Sequence, residues 1–196
     1  MDFIKEAYKV KAATVIKNLE KRQMEGYYCE TVKEAVDKVM SLIKQDDIVG
    51  WGGSTTIDQI GIKKLLEERK ITVYDRDKET DPKEKVKMMK KALTADVFLT
   101  SANAITMEGE LINIDGNGNR VAAYCYGPNS VIVVAGMNKL VTDLDVAIKK
   151  ARLDASVPNA IRTNSKAPCY FTGKCADCTM ADTLCSQILI TRFCKP

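Results

Sequence analysis

Apolar residues recur at helical spacing from residue 2 to residue 25, where Ile4, Tyr8, Ala12, Val15, Ile16 and Leu19 share one face between lysines and glutamates. That pattern predicts an amphipathic helix. A second helix is expected from Thr31, whose hydroxyl can cap it together with Glu34 three residues on; Val32, Ala35, Val36, Val39, Met40 and Ile43 form its apolar face. The short apolar run Ile48 to Trp51 reads as a buried strand. Gly52-Gly53-Ser54-Thr55-Thr56 then leads into a helix carrying Ile57, Ile60, Leu65 and Leu66. A strand at Ile71 to Tyr74, a charged helix over residues 82 to 93 and a strand at Val97 to Thr100 follow. Strands and helices alternating at this interval imply βαβ units and a parallel sheet.

The pattern changes after Asn103. Ile105-Thr106 and Leu111 to Ile114 flank a turn at Glu108-Gly109, and Asp115-Gly116-Asn117-Gly118 marks a second turn before Val121 to Cys125. These are hairpin signals and predict an inserted antiparallel meander. Val131 to Ala135 is the most apolar strand, and the helix from Asp143 carries acids in its first turn and Lys149, Lys150 and Arg152 in its last. From Ala155 to Cys178 the chain looks irregular, and Thr179 to Ile190 reads as a last helix. The fold class expected is α/β: three layers, a mostly parallel sheet with helices on both faces, an inserted antiparallel meander and an N-terminal helical segment. One domain over residues 1–196 is expected, with N-terminal helices at 1–45, an α/β core at 46–154 and a Cys-rich tail at 155–196.

With 45% hydrophobic and 29% charged residues in a chain of 196, disorder is excluded, and folding should bury about 70% of the surface exposed by the unfolded chain. The net charge is only +4, with both signs interspersed, which argues against nucleic acid as a partner. No histidine occurs, so Ser-His and Cys-His catalysis and His-ligated metals are excluded. The charged N-terminus does not read as a signal peptide and no apolar run is long enough to span a bilayer; a cytoplasmic protein without membrane contact is expected. The seven cysteines then imply reduced thiols, thiol chemistry or metal rather than disulfides.

Two places carry candidate chemistry. At Gly52-Gly53-Ser54-Thr55 the small residues let a ligand approach the backbone, and the hydroxyls and free N–H groups of the following helix form an anion site. The same residues would also serve as a tight turn in which Ser54 only caps the helix. The lysine of a Walker loop is missing. In the tail, Cys169, Cys175, Cys178 and Cys185 are spaced C-x5-C-x2-C-x6-C. The central pair has metal-knuckle spacing, while the outer spacings match neither a zinc ribbon nor a bacterial ferredoxin. Glu108, Glu110 and Asp115 sit beside turn glycines, where acids are commonly just solvated, and Cys29 and Cys125 read as small core residues.

The segment Asp96 to Arg120, with its SANAIT, EGEL and DGNGNR runs, resembles the LUD-domain proteins of the lactate-utilisation family. The likeness continues through Val131 to Val134, Gly136-Met137-Asn138-Lys139 and the GKCADC tail. What it implies is a fold like that of ribose-5-phosphate isomerases, glucosamine-phosphate isomerases and CoA transferases, in which the loop equivalent to Gly52, Gly53, Ser54 and Thr55 contacts phosphate or a CoA-like group. It assigns ligand contacts to Ser101, Asn103, Gly116 and Asn119 as well. Ser101-Ala102-Asn103 stands where the phosphosugar isomerases have Gly-Ala-Asp; an amide cannot be the general base of an enediol isomerisation, which speaks against that activity. Asn103 can still orient a carbonyl or carboxylate. The function implied is lactate or 2-hydroxyacid utilisation by an accessory or ligand-binding subunit that takes a small anionic metabolite, works with iron–sulfur redox subunits and forms a homo-oligomer. No catalytic residue is assigned. For the tail cysteines the resemblance favours an iron–sulfur cluster and the absence of a ferredoxin run favours zinc. A transferase or isomerase of the CoA-transferase-like fold and a thiol or metal sensor are the alternative readings. The family pattern would place a further apolar strand after Ile188 to Arg192, and this sequence departs from it by stopping soon after those residues.

Overall fold

A computed structural model describes residues 2–195. In chain order it begins with helices α1 (Phe3–Lys21) and α2 (Val32–Ser41), strand β1 (Ile48–Trp51), helices α3 (Thr55–Gln59) and α4 (Ile62–Glu68), and strand β2 (Thr72–Tyr74). Helix α5 (Pro82–Lys91), strands β3 (Val97–Thr100), β4 (Ala104–Thr106) and β5 (Leu111–Asp115), helix α6 (Asn119–Cys125) and strand β6 (Ser130–Val133) follow. The chain ends with β7 (Leu140–Val141), helices α7 (Leu144–Lys150), α8 (Ser156–Thr163) and α9 (Pro168–Thr172), and β8 (Gln187–Thr191). A π-helical turn, Ala151–Ala155, joins α7 to α8. No helix among the described residues is long and apolar enough to cross a membrane.

The chain gathers into two compact units. The first, Cys29–Ser101 with Ala122–Ala135, holds an all-parallel sheet in the order β2-β1-β3-β6. Local signals start its helices where expected. The Glu34 N–H donates to Thr31 Oγ1 at 3.2 Å, and the Glu34 carboxylate accepts from the Glu30 N–H at 2.9 Å. Alternation along the strands then sorts side chains to two faces. Val49, Trp51, Val97 and Leu99 pack with Val39, Met40, Ile57, Ile62 and Leu66 on one face. Phe98 packs with Ala92 and Ala123 on the other, so the unit has three layers. Gly50 belongs to this second face, and a Cβ there would lie 3.0 Å from the Ala92 Cβ and 3.2 Å from its Cα; glycine is what lets the turn after α5 come so close to β1.

The second unit comprises Met1–Tyr28, Ala102–Val121 and Gly136–Pro196, with a mixed sheet in the order β7-β4-β5-β8. Its core joins Ala104, Ile112 and Ile114 to Ala147 and Ala151. The expected fold class is borne out, including the β4–β5 hairpin about Gly109, whose φ is +84°.

Five local expectations are corrected. Val121 to Cys125 is not a strand: the Asp115 carboxylate accepts from the N–H groups of Arg120 (3.0 Å) and Val121 (3.3 Å) and so starts α6 instead. Thr179 to Ile190 is not a helix; its apolar end is β8, which pairs antiparallel with β5 so that Ile190 faces Ile112 and Ile188 faces Ile114. The stretch taken as irregular contains α8 and α9. Gly61, with φ +74°, also breaks the helix expected after Thr56 into α3 and α4. Cys125 is exposed and Cys29 half-buried, so neither is a core residue.

Candidate functional site

In the parallel unit the connections from β1 and β3 leave in opposite directions, because β2 lies on one side of β1 and β6 on the other side of β3. Such a reversal opens a crevice at the carboxyl ends of the two strands, where ligands of open α/β sheets bind. Gly52, Gly53, Ser54 and Thr55 follow β1 directly, and Ser101 follows β3. The Gly52 N–H donates to the Leu99 carbonyl at 3.3 Å, which fixes the start of the loop to β3. Ser54 caps α3 by accepting from the Ile57 N–H at 3.3 Å, while its own hydroxyl proton makes no contact with any described residue. Gly53 and Ser54 are half-buried and Thr55 is exposed. The Tyr124 hydroxyl donates to the Ser101 carbonyl at 3.2 Å and fixes the backbone there.

Asn103, Gly116 and Asn119 belong to the mixed-sheet unit, which the sequence does not reveal. Asn103 Oδ1 accepts from the Ile114 N–H (2.7 Å) and from Arg120 Nη2 (3.0 Å). The same guanidinium donates to Asn113 Oδ1 at 2.5 Å and to the Ile114 carbonyl at 2.7 Å, and stands 4.0 Å from the Asp115 carboxylate. Arg120, only 9% exposed, is therefore the centre of a buried polar lock across the β4–β5 hairpin and the head of α6. Its residues lay within the block that carries the resemblance, yet nothing local distinguished Asn113 and Arg120 from their neighbours. Gly116 has a negative φ and ordinary room for a Cβ, and the Asn119 side chain makes no hydrogen bond with described residues. The expectation that the turn acids are simply solvated is corrected for Glu110 and Asp115. Glu110 accepts from Thr106 Oγ1 at 3.2 Å and pairs with Arg22 at 3.4 Å, Asp115 caps α6, and only Glu108 is exposed.

The LUD domain profile matches residues 12–191. The chain belongs to the LUD-domain family, whose name stands for lactate utilisation. No curated protein gives a significant match to it. The motif block of this LUD domain is thus spent in two ways: Ser101 ends a strand of the parallel sheet, and the residues from Asn103 to Arg120 build the hairpin and its lock.

Beside the β1 loop of the LUD domain, the Lys63 ammonium lies 2.7 Å from Asp58 and 2.9 Å from Asp77, and 5.0 Å from the centre of the Trp51 ring. Burial opposes ionisation of Asp77, but the Lys63 hydrogen bond and charge, with Arg76, outweigh it and hold the carboxyl below its usual value. A carboxylate depressed in the folded state stabilises the fold above its unfolded pKa, and that contribution is lost as pH falls through the folded value. Burial also opposes the charge on Lys63, and Asp58 and Asp77 more than reverse it, so its contribution lasts until pH exceeds the ordinary lysine range. Asp77→Asn is expected to lower the melting temperature at pH 7 and to flatten its decline below about pH 4; parallel acid profiles for variant and parent would refute the pairing.

In the tail of the LUD domain, Cys169, Cys175, Cys178 and Cys185 line one cavity of about 40 Å³ with Arg152, Ser156 and Thr183. Cys169 is buried on α9 and the other three are half-buried. Burial pushes the Cys185 thiol up, the Ser156 hydroxyl opposes this, and the nearby Cys175, Cys169 and Cys178 add to it. The four thiols singled out by spacing thus border one cavity, while Ser156, Thr183 and Arg152 around them came only with the fold.

Proposed function

We propose that this LUD domain is a ligand-binding subunit in the utilisation of lactate or related 2-hydroxyacids, holding a small anionic metabolite and working beside iron–sulfur redox subunits. The observation that carries the binding reading is the switch point of the parallel sheet, where Gly52 to Thr55 and Ser101 meet the carboxyl ends of adjacent strands. Backbone N–H groups and two serine hydroxyls suit a carboxylate or phosphate and need no cofactor. A binding rather than an isomerising role is supported by Asn103. Its amide has no basic electron pair to take a proton, its oxygen already accepts two hydrogen bonds, and no histidine stands in for it. Redox chemistry on a 2-hydroxyacid needs an electron acceptor, and the sequence has no flavin or dinucleotide fingerprint, which is why redox partners are part of the proposal.

Calorimetric titration with L-lactate, inorganic phosphate and coenzyme A tests it. At least one is expected to bind, and Ser54→Ala with Ser101→Ala should weaken it about a hundredfold or more, the worth of two hydrogen bonds to a charged group. No binding by any of the three, unchanged affinity in the double variant, or turnover of ribose 5-phosphate at about one per second or faster would each overturn the reading.

A further inference from the structure

We propose that Cys169, Cys175, Cys178 and Cys185 bind a single zinc ion that fastens the C-terminal tail beside the mixed sheet. The four thiols border one small cavity although they come from separate places: Cys169 from α9, Cys175 and Cys178 from the loop after it, and Cys185 from the approach to β8. Four sulfur donors are a tetrahedral zinc set, and the short spacing of Cys175 and Cys178 lets one turn supply two of them. That turn is already bent. Gly173 and Asp177 have φ of +65° and +49°, and the Asp177 N–H donates to Cys175 Sγ at 3.4 Å. The Ser156 hydroxyl is 3.3 Å from Cys185 Sγ and Thr183 Oγ1 is 3.7 Å from Cys178 Sγ. The Asp177 N–H so placed orients a thiolate and shares its charge, the task of the outer sphere of a metal site, and the two hydroxyls would do the same on turning from the Ala151 and Cys178 carbonyls to which they donate. Arg152, on the rim and paired with Asp177 at 2.8 Å, offsets part of the net double negative charge that four thiolates leave on a divalent ion.

Spacing favours an ion over a cluster: the run C-x5-C-x2-C-x6-C matches no ferredoxin pattern, while the Cys175-x2-Cys178 pair has the spacing of a zinc knuckle. Among the described residues no three Cys, Asp or Glu donors are already drawn into a coordination sphere. Zinc therefore has to pull the thiols inward, each losing its proton to solvent as its sulfur–metal bond forms, and binding is coupled to ordering of the tail. The loop from Gly173 to Leu184 contains no strand or helix to resist this. Cys185 leads into β8, so the ion would clamp the edge strand of the mixed sheet as well as α9.

The ligand crevice belongs to the other unit, so either proposal can fail alone. The test uses full-length protein purified without air, analysed for metals and then titrated with a mercurial while a chromogenic chelator reports free zinc. About one zinc per chain is expected, released as four thiols react, with no absorption near 400 nm. Replacement by cobalt should give the sulfur-to-metal charge transfer and intense visible bands of a tetrahedral thiolate site, read on the parent protein so that no variant need fold. Cys178→Ser should weaken zinc binding about a hundredfold or more, and Ser156→Ala about tenfold. Less than about a tenth of an equivalent of metal after incubation with zinc and dialysis, a cobalt spectrum without thiolate charge transfer, or a brown iron-containing protein would each overturn the single-zinc site.

Discussion

Arg120→Met is expected to destabilise the mixed-sheet unit by about 3–5 kcal/mol, the cost of removing one member of a buried charged network. The methionine fills much of the space but donates nothing. Asn113 Oδ1 and the Ile114 carbonyl lose their donor, Asn103 Oδ1 keeps only the Ile114 N–H, and Asn113, fully buried, keeps an amide whose oxygen has nowhere else to turn. Each orphaned buried acceptor costs about 1–3 kcal/mol, so the loss of the guanidinium is felt twice over. Asp115 would still cap α6, because its bonds run to the backbone N–H groups of residues 120 and 121, and helix content should survive in the folded variant. Urea unfolding followed by circular dichroism measures the change, with Arg120→Lys as the control that keeps the charge but not the planar fork. A loss below about 1 kcal/mol for Arg120→Met would mean the guanidinium is solvated and the lock is not a support.

Phe98→Ala should cost the parallel unit about 3–5 kcal/mol. Phe98 lies in β3, between β1 and β6, and is 1% exposed. Its buried neighbours on that face are Ala92 and Ala123, with Tyr74, Leu93 and Val131 around them. Two alanines cannot lean into the space a lost ring leaves, so the cavity should stay open and the cost sit at the upper end of the range. Trp51 is the only tryptophan in the chain and belongs to the same unit, so its fluorescence reports this transition directly. A shift of less than about 1 kcal/mol would show that the sheet collapses around the gap.

Much of the candidate site was legible because it depends on local chemistry. Glycines and hydroxyls after a short apolar strand predict a βα loop wherever that strand finds its partners, and the four tail cysteines are conspicuous by spacing alone. Arg120 was not legible as a site residue. An arginine after Gly-Asn reads as a surface charge, and only the hairpin that brings Asn103 and Asn113 to it makes it a buried hub. Ser156 and Thr183 were equally silent, since a hydroxyl acquires meaning from the sulfur folded against it.

The sequence by itself determined the α/β class, the parallel half, most helix starts and the first hairpin. These follow from periodicity, capping residues and turn glycines, interactions that span a few residues and act before any distant contact forms. Only the tertiary structure decided that Val121 to Cys125 is helical and that Gln187 to Thr191 is a strand. Short apolar runs are nearly neutral between the two forms; a carboxylate at Asp115 tipped the first, and an open edge on β5, more than seventy residues upstream, claimed the second. The same long-range pairing assigned Ser101 and Asn103, two residues apart, to different units, because the strand that ends before Ser101 and the hairpin that begins after Asn103 find their partners in different sheets.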